Sequence, residues 1–127
     1  MLFDTDIFIF AQRGCTNSAK AIINDPEPSL SIVTYMEFMQ GAKDKKQLQL
    51  NKDFLTRQTF EIVDLTKSIG QRSKLYIEEY ALSHGIRAID ALIASTAVEH
   101  GCALVTTNTK HYKMIKDLKL KLIKPRH

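Results

Sequence analysis

The sequence contains no apolar run that approaches the ~20 residues of a transmembrane helix, so no membrane span is expected. Its first residues lack the basic start of a secretory signal, and Asp4 and Asp6 interrupt what would be the apolar part. Only two cysteines occur, Cys15 and Cys102, and they form no CxxC pair, which argues against a disulfide framework and against a zinc site. These absences make a reducing cytoplasm the expected location.

Internal repeats, low-complexity segments and linkers are also missing, so we expect one domain that spans residues 1–127. The 44% hydrophobic and 25% charged residues are ordinary for a soluble globular protein. A net charge of +4 and a pI of about 9.1 favour an anionic partner such as nucleic acid.

Short apolar runs alternate with helical patterns along the chain. A short buried strand is predicted at the start of the chain, running into a turn or helix near Asp6, and further strands are predicted near residues 29–33, 60–65, 102–107 and 118–123. Helices are predicted over residues 16–24, 34–46, 47–57, 66–84, 88–100 and 108–116. This alternation indicates a three-layer α/β/α fold with a central, mostly parallel sheet of four to five strands, covered by helices on both faces. Right-handed crossovers place the carboxyl ends of such strands at one edge, where ligands bind.

Five acidic or amide side chains fall at that edge, although most of them are far apart in the sequence. They are Asp4 and Asp6 after the first strand, Glu37 in the helix after the second, Asp90 near the start of the helix AIDALIASTAVEH, and Asn108 after the fourth strand. Because carboxylates that converge in one cleft repel one another and lose hydration, such a cluster is tolerated when a cation neutralises it.

Each of these residues also has a local explanation. Asp6 and Asn108 are candidate helix N-caps, and Thr34 with Glu37 matches the capping box T-x-x-E. Asp90 is placed to complement a helix dipole. These explanations stay open residue by residue, but none accounts for the convergence at one edge.

Oxygen ligands without a cysteine or histidine pair point to Mg²⁺ or Mn²⁺ rather than zinc. A site for Mg²⁺ leaves positions open for water and for substrate phosphates, which suits phosphodiester hydrolysis. The basic remainder of the chain would hold the polyanion.

Three segments in this order resemble the PIN-domain ribonucleases, and more narrowly the VapC-type toxins of toxin–antitoxin pairs. The segments are LFDTDIFI, TYMEFMQGA and AIDALIASTAVEHGCALVTTNTKHY, and together they span nearly the whole chain. The resemblance implies that Asp4, Glu37 and Asp90 are the acids of a metal site. Asn108 falls on a fourth position that is often aspartate, and Asp6 on one often taken by asparagine, so one well-held Mg²⁺ is the expectation.

The resemblance further implies an endoribonuclease that stops translation by cutting structured RNA. A cognate antitoxin would bind it directly, and homodimers are usual in the family. Thr5 and Thr106 are candidates for hydroxyls that orient the carboxylates.

Two other functions remain open from the residues alone. A haloacid-dehalogenase-type phosphatase would use Asp4 as nucleophile and Asp6 as acid, but the late acidic pair of that family is missing after the strand that ends in TTN. A non-catalytic RNA-binding module is favoured only by Asn108.

Lysines offer two further candidate features. The run KDKK after Glu37 is either a surface turn or an RNA contact. Lys119 and Lys121 alternate with leucines in the last predicted strand, and Lys124 follows it; we expect all three to protect a sheet edge from pairing with another chain.

Overall fold

A computed structural model describes residues 1–57 and 59–125 as alternating strands and helices. The strands are β1 (Leu2–Phe3), β2 (Ser29–Ser31), β3 (Glu61–Val63), β4 (Leu104–Thr106) and β5 (Leu120–Leu122). The helices are α1 (Thr5–Gln12), α2 (Thr16–Ile23), α3 (Ile32–Gln40), α4 (Lys45–Thr56), α5 (Lys67–His84) and α6 (Ala88–Glu99), with a short 3-10 helix at Thr109–His111.

The five strands form one sheet in the order β3-β2-β1-β4-β5, and every neighbouring pair is parallel. The first strand lies at its centre, with Leu2 opposite both Ser29 and Leu104, and Phe3 opposite Val105. The predicted parallel sheet is therefore confirmed. Because all five strands point the same way, the residues that follow them meet at one edge.

Two separate hydrophobic cores lie on the two faces of this sheet. Leu2 and Leu104 pack into one core with residues of α5 and α6, whereas Phe3 and Val105 pack into the other with residues of α1, α3 and α4. Successive side chains of a strand point to opposite faces, so apolar runs as short as LF and LV supply both cores. This gives the three layers that the sequence predicts.

The start of α3 corrects one expectation. The Ser31 hydroxyl accepts a hydrogen bond from the Val33 amide at 3.2 Å, so the helix begins at once after β2. Thr34 therefore lies inside the helix, and its predicted capping box with Glu37 is wrong. Glu37 instead lies in the second helical turn, on the side that faces α1.

The helix predicted over residues 108–116 is also shorter than expected. Only Thr109–His111 forms a helical turn, of the 3-10 type. Tyr112 and Ile115 from this segment are buried against the sheet, and this tertiary packing replaces a regular helix. Among the described helices, none is long and apolar enough to cross a membrane.

A buried amide in α4 connects three helices beside the carboxyl edge. Asn51 is 2% exposed, donates to the Phe38 carbonyl of α3 at 3.0 Å, and accepts from the Gln12 amide of α1. Because buried polar groups are costly when they lose their partners, Asn51 fixes α4 against α1 and α3.

Replacing Asn51 by Ala should lower the free energy of unfolding by about 1–3 kcal/mol, because the Phe38 carbonyl and the Gln12 amide lose their partner. Urea denaturation followed by circular dichroism measures the change. Gln49→Ala is the matched control, since the Gln49 amide bonds Asp53 on the exposed surface of the same helix. Equal losses in the two variants would contradict a special role for Asn51.

Candidate metal centre

Asp4 lies where β1 ends and α1 begins. Its backbone amide donates to the Val105 carbonyl at 2.9 Å, which continues the pairing of β1 with β4. One carboxylate oxygen caps α1 by accepting from the Thr5 amide at 2.8 Å, and the other accepts from the Thr106 hydroxyl at 2.8 Å. The side chain is thus held from its own helix and from the neighbouring strand, and only 8% of the residue is exposed.

Asp6 lies one residue beyond Thr5, in the first turn of α1. Its Oδ2 accepts from the Thr107 amide at 3.2 Å, from the Thr107 hydroxyl, and from the Thr106 hydroxyl at 3.4 Å. Its Oδ1 is buried and has no hydrogen-bond partner among the described residues. A buried carboxylate oxygen without a donor is rare, and a bound cation would satisfy it.

Burial and mutual repulsion make both carboxylates hard to ionise. Desolvation, followed by the charge of Asp6, raises the pKa of Asp4 from 3.8 to about 7, although hydrogen bonds from Thr106, the Thr5 amide and Tyr112 oppose the rise. Desolvation likewise raises the pKa of Asp6 against the bonds from Thr107. A divalent cation would reverse both shifts, because its charge favours the ionised form.

Glu37 reaches this pair through Thr5. The Thr5 hydroxyl donates to Glu37 Oε1 at 2.6 Å and lies 3.3 Å from the Thr34 hydroxyl of the same helix. The carboxylate of α3 is therefore positioned beside the first residue of α1, next to Asp4. The predicted orienting contacts of Thr5 and Thr106 are both present.

Asp90 approaches from α6 on the other side of the sheet. It accepts from the Arg87 amide at 3.3 Å, which closes the first turn of the helix, and His111 Nδ1 lies 3.8 Å from its Oδ1. The charges of both Asp4 and Asp90 act on the buried Tyr112. Burial, then the charges of Asp4 and Asp90, raise the pKa of its phenol, so the hydroxyl stays protonated as a donor.

Asn108 occupies the predicted place after β4, but it is exposed and serves the following turn. Its Oδ1 accepts from the Lys110 amide at 3.0 Å, and its own amide donates to the Thr106 hydroxyl at 3.1 Å. The expectation that Asn108 is a helix N-cap is confirmed for the 3-10 turn. The cap of α1 is Asp4 rather than Asp6.

The fold thus brings the predicted acids to one edge of the sheet. Asp4 and Asp6 interact directly through charge and share Thr106. Glu37 and Asp90 lie on either side of them in the two helical layers. The Thr5 hydroxyl bonds Glu37 beside them, and the charge of Asp90 acts on Tyr112, which also feels the charge of Asp4. Within residues 1–57 and 59–125 no three Asp, Glu, His or Cys side chains form a ready-made metal cage. Carboxylate oxygens are suitable ligands for a hard divalent cation, and Asp6 has one oxygen without a partner among the described residues. Such a cation would be held mainly by Asp4 and Asp6, with Glu37 and Asp90 farther away.

Two residues that donate hydrogen bonds at this site were not identified from the sequence. Tyr112 looks like one more residue of the segment NTKHY, and Thr107 like the second of two equivalent threonines. A signal was present for Tyr112, since it is the aromatic residue in a run of polar and basic ones directly after the edge. Only the tertiary structure shows that it meets Asp4.

A cavity of about 590 Å³ opens beside Glu37, between α1, α3 and α4. Cationic Arg13 and Lys46 line it together with acidic Glu37 and Asp44. Lys46 belongs to the run KDKK, so that run reaches the candidate site rather than lying wholly apart from it.

Comparison with known proteins identifies similar sequences and folds. The family described as PIN domain matches residues 1–117. Ribonuclease VapC1 of Methanocaldococcus jannaschii is 34% identical over 95 residues, which cover 74% of this chain and 68% of the relative. Ribonuclease VapC19 of Mycobacterium tuberculosis is 30% identical over 122 residues, covering 92% of this chain and 95% of the relative.

Among solved structures, a toxin–antitoxin complex from Klebsiella pneumoniae contains a similar chain. It superposes with a TM-score of 0.77 at 33% identity, covering 92% of this chain and 93% of that one.

The raised pKa of Asp4 predicts how stability depends on pH in the absence of metal. The unfolded chain ionises Asp4 near its ordinary pKa, so the folded state binds the proton more tightly. Protonated Asp4 therefore stabilises the folded state fully below about pH 4, and this contribution to the free energy of unfolding is lost as the pH rises through about 7. At ~1.4 kcal/mol per pKa unit, the effect is on the order of 4 kcal/mol.

Asp4→Asn should therefore gain stability relative to the wild type as the pH rises from about 4 to 8. Urea denaturation in chelator at several pH values measures this difference, with the exposed Asp53→Asn as control. A difference between Asp4→Asn and wild type that is constant with pH, or that follows the control, would refute the assignment.

Proposed function

The chain belongs to the PIN domain family, and from this membership we propose that it is the endoribonuclease toxin of a toxin–antitoxin pair. The observation that carries the proposal is the pairing of buried Asp4 with half-buried Asp6 at the carboxyl edge of a parallel sheet, where one carboxylate oxygen of Asp6 lacks a hydrogen-bond partner among the described residues. The similarity to two proteins named ribonuclease VapC supports RNA as the substrate.

We propose Mg²⁺, with Mn²⁺ as a substitute, as the cofactor. Asp4 and Asp6 would hold it directly, and Asp90 and Glu37 would complete the site. When bound, the ion supplies Lewis-acid polarisation of the scissile phosphate and makes a water molecule more acidic.

The protein's own groups prepare that site before any substrate arrives. Thr106 and Thr107 donate hydrogen bonds to Asp4 and Asp6 and hold their oxygens in fixed directions. The Thr5 hydroxyl donates to one oxygen of Glu37 and so restrains the orientation of that carboxylate. Fixed ligands cost no reorganisation when the substrate binds, which favours the transition state over the ground state.

Two cationic side chains of the cavity beside Glu37, which Asp44 also lines, would hold the RNA. Arg13 and Lys46 line the cavity next to Glu37, where a phosphate adjacent to the scissile bond would lie. Neither side chain forms an ion pair with a described residue, so both are available to the substrate.

We also propose a cognate antitoxin as the protein partner, a homodimer as the assembly, and the cytoplasm as the site of action. The similar chain in the Klebsiella pneumoniae structure is part of a toxin–antitoxin complex, which supports the first. Leu75 and Leu82 of α5 are exposed apolar side chains that a second copy would cover, which supports the second.

Neither alternative function gains support from the comparisons. The matches are to the PIN domain and to ribonucleases, not to haloacid-dehalogenase phosphatases. A non-catalytic RNA-binding module remains an outcome of the cleavage experiment.

Asp4→Asn and Asp90→Asn should each lower the rate of RNA cleavage by at least 10²-fold, because each removes a charge that the transition state needs. Purified wild type and variants are incubated with total bacterial RNA and Mg²⁺, and new ends are mapped. The exposed Asp53→Asn serves as control, and circular dichroism verifies folding. Undiminished cleavage by a folded Asp4→Asn, Asp90→Asn double variant would reject the assignment, and wild type that binds RNA without cutting it would select the non-catalytic module.

Asn108→Asp tests the fourth position of the site. An added carboxylate near Asp4 and Asp6 should tighten the binding of Mg²⁺ several-fold, because ligand charge dominates affinity for hard cations. Isothermal titration calorimetry of wild type, Asn108→Asp and Asp6→Asn measures the order of affinities. Equal affinities in all three would place the ion elsewhere.

A further inference from the structure

A second groove lies between α2 and the segment that follows β5, away from the cavity beside Glu37. It encloses about 430 Å³. We call it the basic groove and define it by the polar side chains that line it, Asn17, Lys20, Asn24, Lys121 and Lys124. The proposed function uses none of these residues.

The positive charge of the basic groove is uncompensated. Lys20, Lys121 and Lys124 are exposed, and none of them forms an ion pair within the part of the chain that the structure describes. Asp25 is the acid in the described lining, but its carboxylate bonds the ammonium group of Met1 at 2.8 Å and its side chain is 5% exposed. Three cationic side chains therefore face one concave surface with no anion of the protein to neutralise them.

Protection of a sheet edge does not account for this arrangement. The strand β5 is an edge strand, as expected, so Lys121 does discourage pairing with another chain. Lys20, however, comes from α2, which is not part of the sheet. Protection of the sheet edge therefore does not explain why Lys20 lies in the same groove as Lys121 and Lys124.

The basic groove is physically continuous with the strand that orients the acids. The amide of Ile123, which also lines the groove, donates to the Thr106 carbonyl at 2.9 Å, and the Thr106 hydroxyl donates to Asp4 at 2.8 Å. The Asn17 side chain donates to the Lys124 carbonyl at 3.1 Å and so ties the segment after β5 to α2. The lysines are thus presented on a fixed surface rather than on a loose tail.

We propose that the basic groove binds the sugar–phosphate backbone of the RNA substrate at nucleotides outside the scissile bond. The inference rests on the proposed function for the identity of its ligand. Lysines contact phosphates as point charges, and the Asn17 and Asn24 amides add hydrogen bonds, so binding is electrostatic and independent of base sequence. The groove would give folded or long RNA an advantage over short oligonucleotides.

The test is direct binding without cleavage. Wild type and the triple variant Lys20→Ala, Lys121→Ala, Lys124→Ala are titrated in chelator against a fluorescent RNA stem-loop with a single-stranded extension, at several salt concentrations. The expected result is a Kd at least 10-fold weaker. The slope of log K against log salt should become shallower by about 2, because three phosphate contacts at ~0.7 each are lost.

A matched triple variant, Lys52→Ala, Lys67→Ala, Lys116→Ala, removes the same charge from exposed positions outside the basic groove. An equal loss of binding in this control, or unchanged binding in the groove variant, would overturn the proposal. So would lysine-dependent binding that is tighter for duplex DNA or for polyglutamate than for the RNA.

Cleavage kinetics separate this inference from the proposed function. With active protein and Mg²⁺, the groove variant should raise KM for the long RNA about 10-fold without changing kcat, and should cut a tetranucleotide at the wild-type rate. If the wild type cuts no RNA, the proposed function fails, but the binding titration still decides whether the basic groove holds RNA. A fall in kcat on the tetranucleotide would contradict a role confined to distant nucleotides.

Discussion

The close approach of two carboxylates in a desolvated place is the constraint on which the rest of the structure depends. Asp4 and Asp6 repel each other, and burial penalises both charges. Hydrogen bonds from Thr106, Thr107 and the Thr5 amide offset part of that cost, but one oxygen of Asp6 stays without a described partner. The two carboxylates therefore repel each other in a place where a divalent cation would neutralise them, and hydrogen bonds from the end of β4 and the residue after it hold both in position.

The architecture explains how a chain of ordinary composition tolerates the repulsion between Asp4 and Asp6. A parallel sheet with a hydrophobic core on each face supplies stability far from the edge, so the carboxyl ends of the strands are free to carry unfavourable chemistry. The same edge receives Glu37 from one layer and Asp90 from the other. Arg13 and Lys46 line the cavity beside Glu37, and three lysines line the basic groove.

Much of this could be predicted from local pattern. Alternating apolar runs and helical segments indicate the parallel sheet, and the positions of Asp4, Asp6 and Glu37 follow because the ends of such strands meet. Two predictions were wrong. The N-cap of α3 is Ser31 rather than Thr34, because Ser31 lies nearer the end of the strand. The last helix is shorter than predicted, because Tyr112 packs into the core. Thr107 could not be chosen over its neighbours, because a hydroxyl donor becomes recognisable only when its acceptor is known.

The sequence by itself determined which side chains reach the carboxyl edge, because strand direction and side-chain alternation are properties of short segments. Only the tertiary structure decided how those side chains act on one another. The hydrogen bond from Thr106 to Asp4 joins residues 102 positions apart, and the approach of Lys20 to Lys121 depends on α2 packing beside β5. Desolvation, repulsion and shared donors vary with distances of a few ångströms, and such distances are set by how the layers pack rather than by any pattern along the chain.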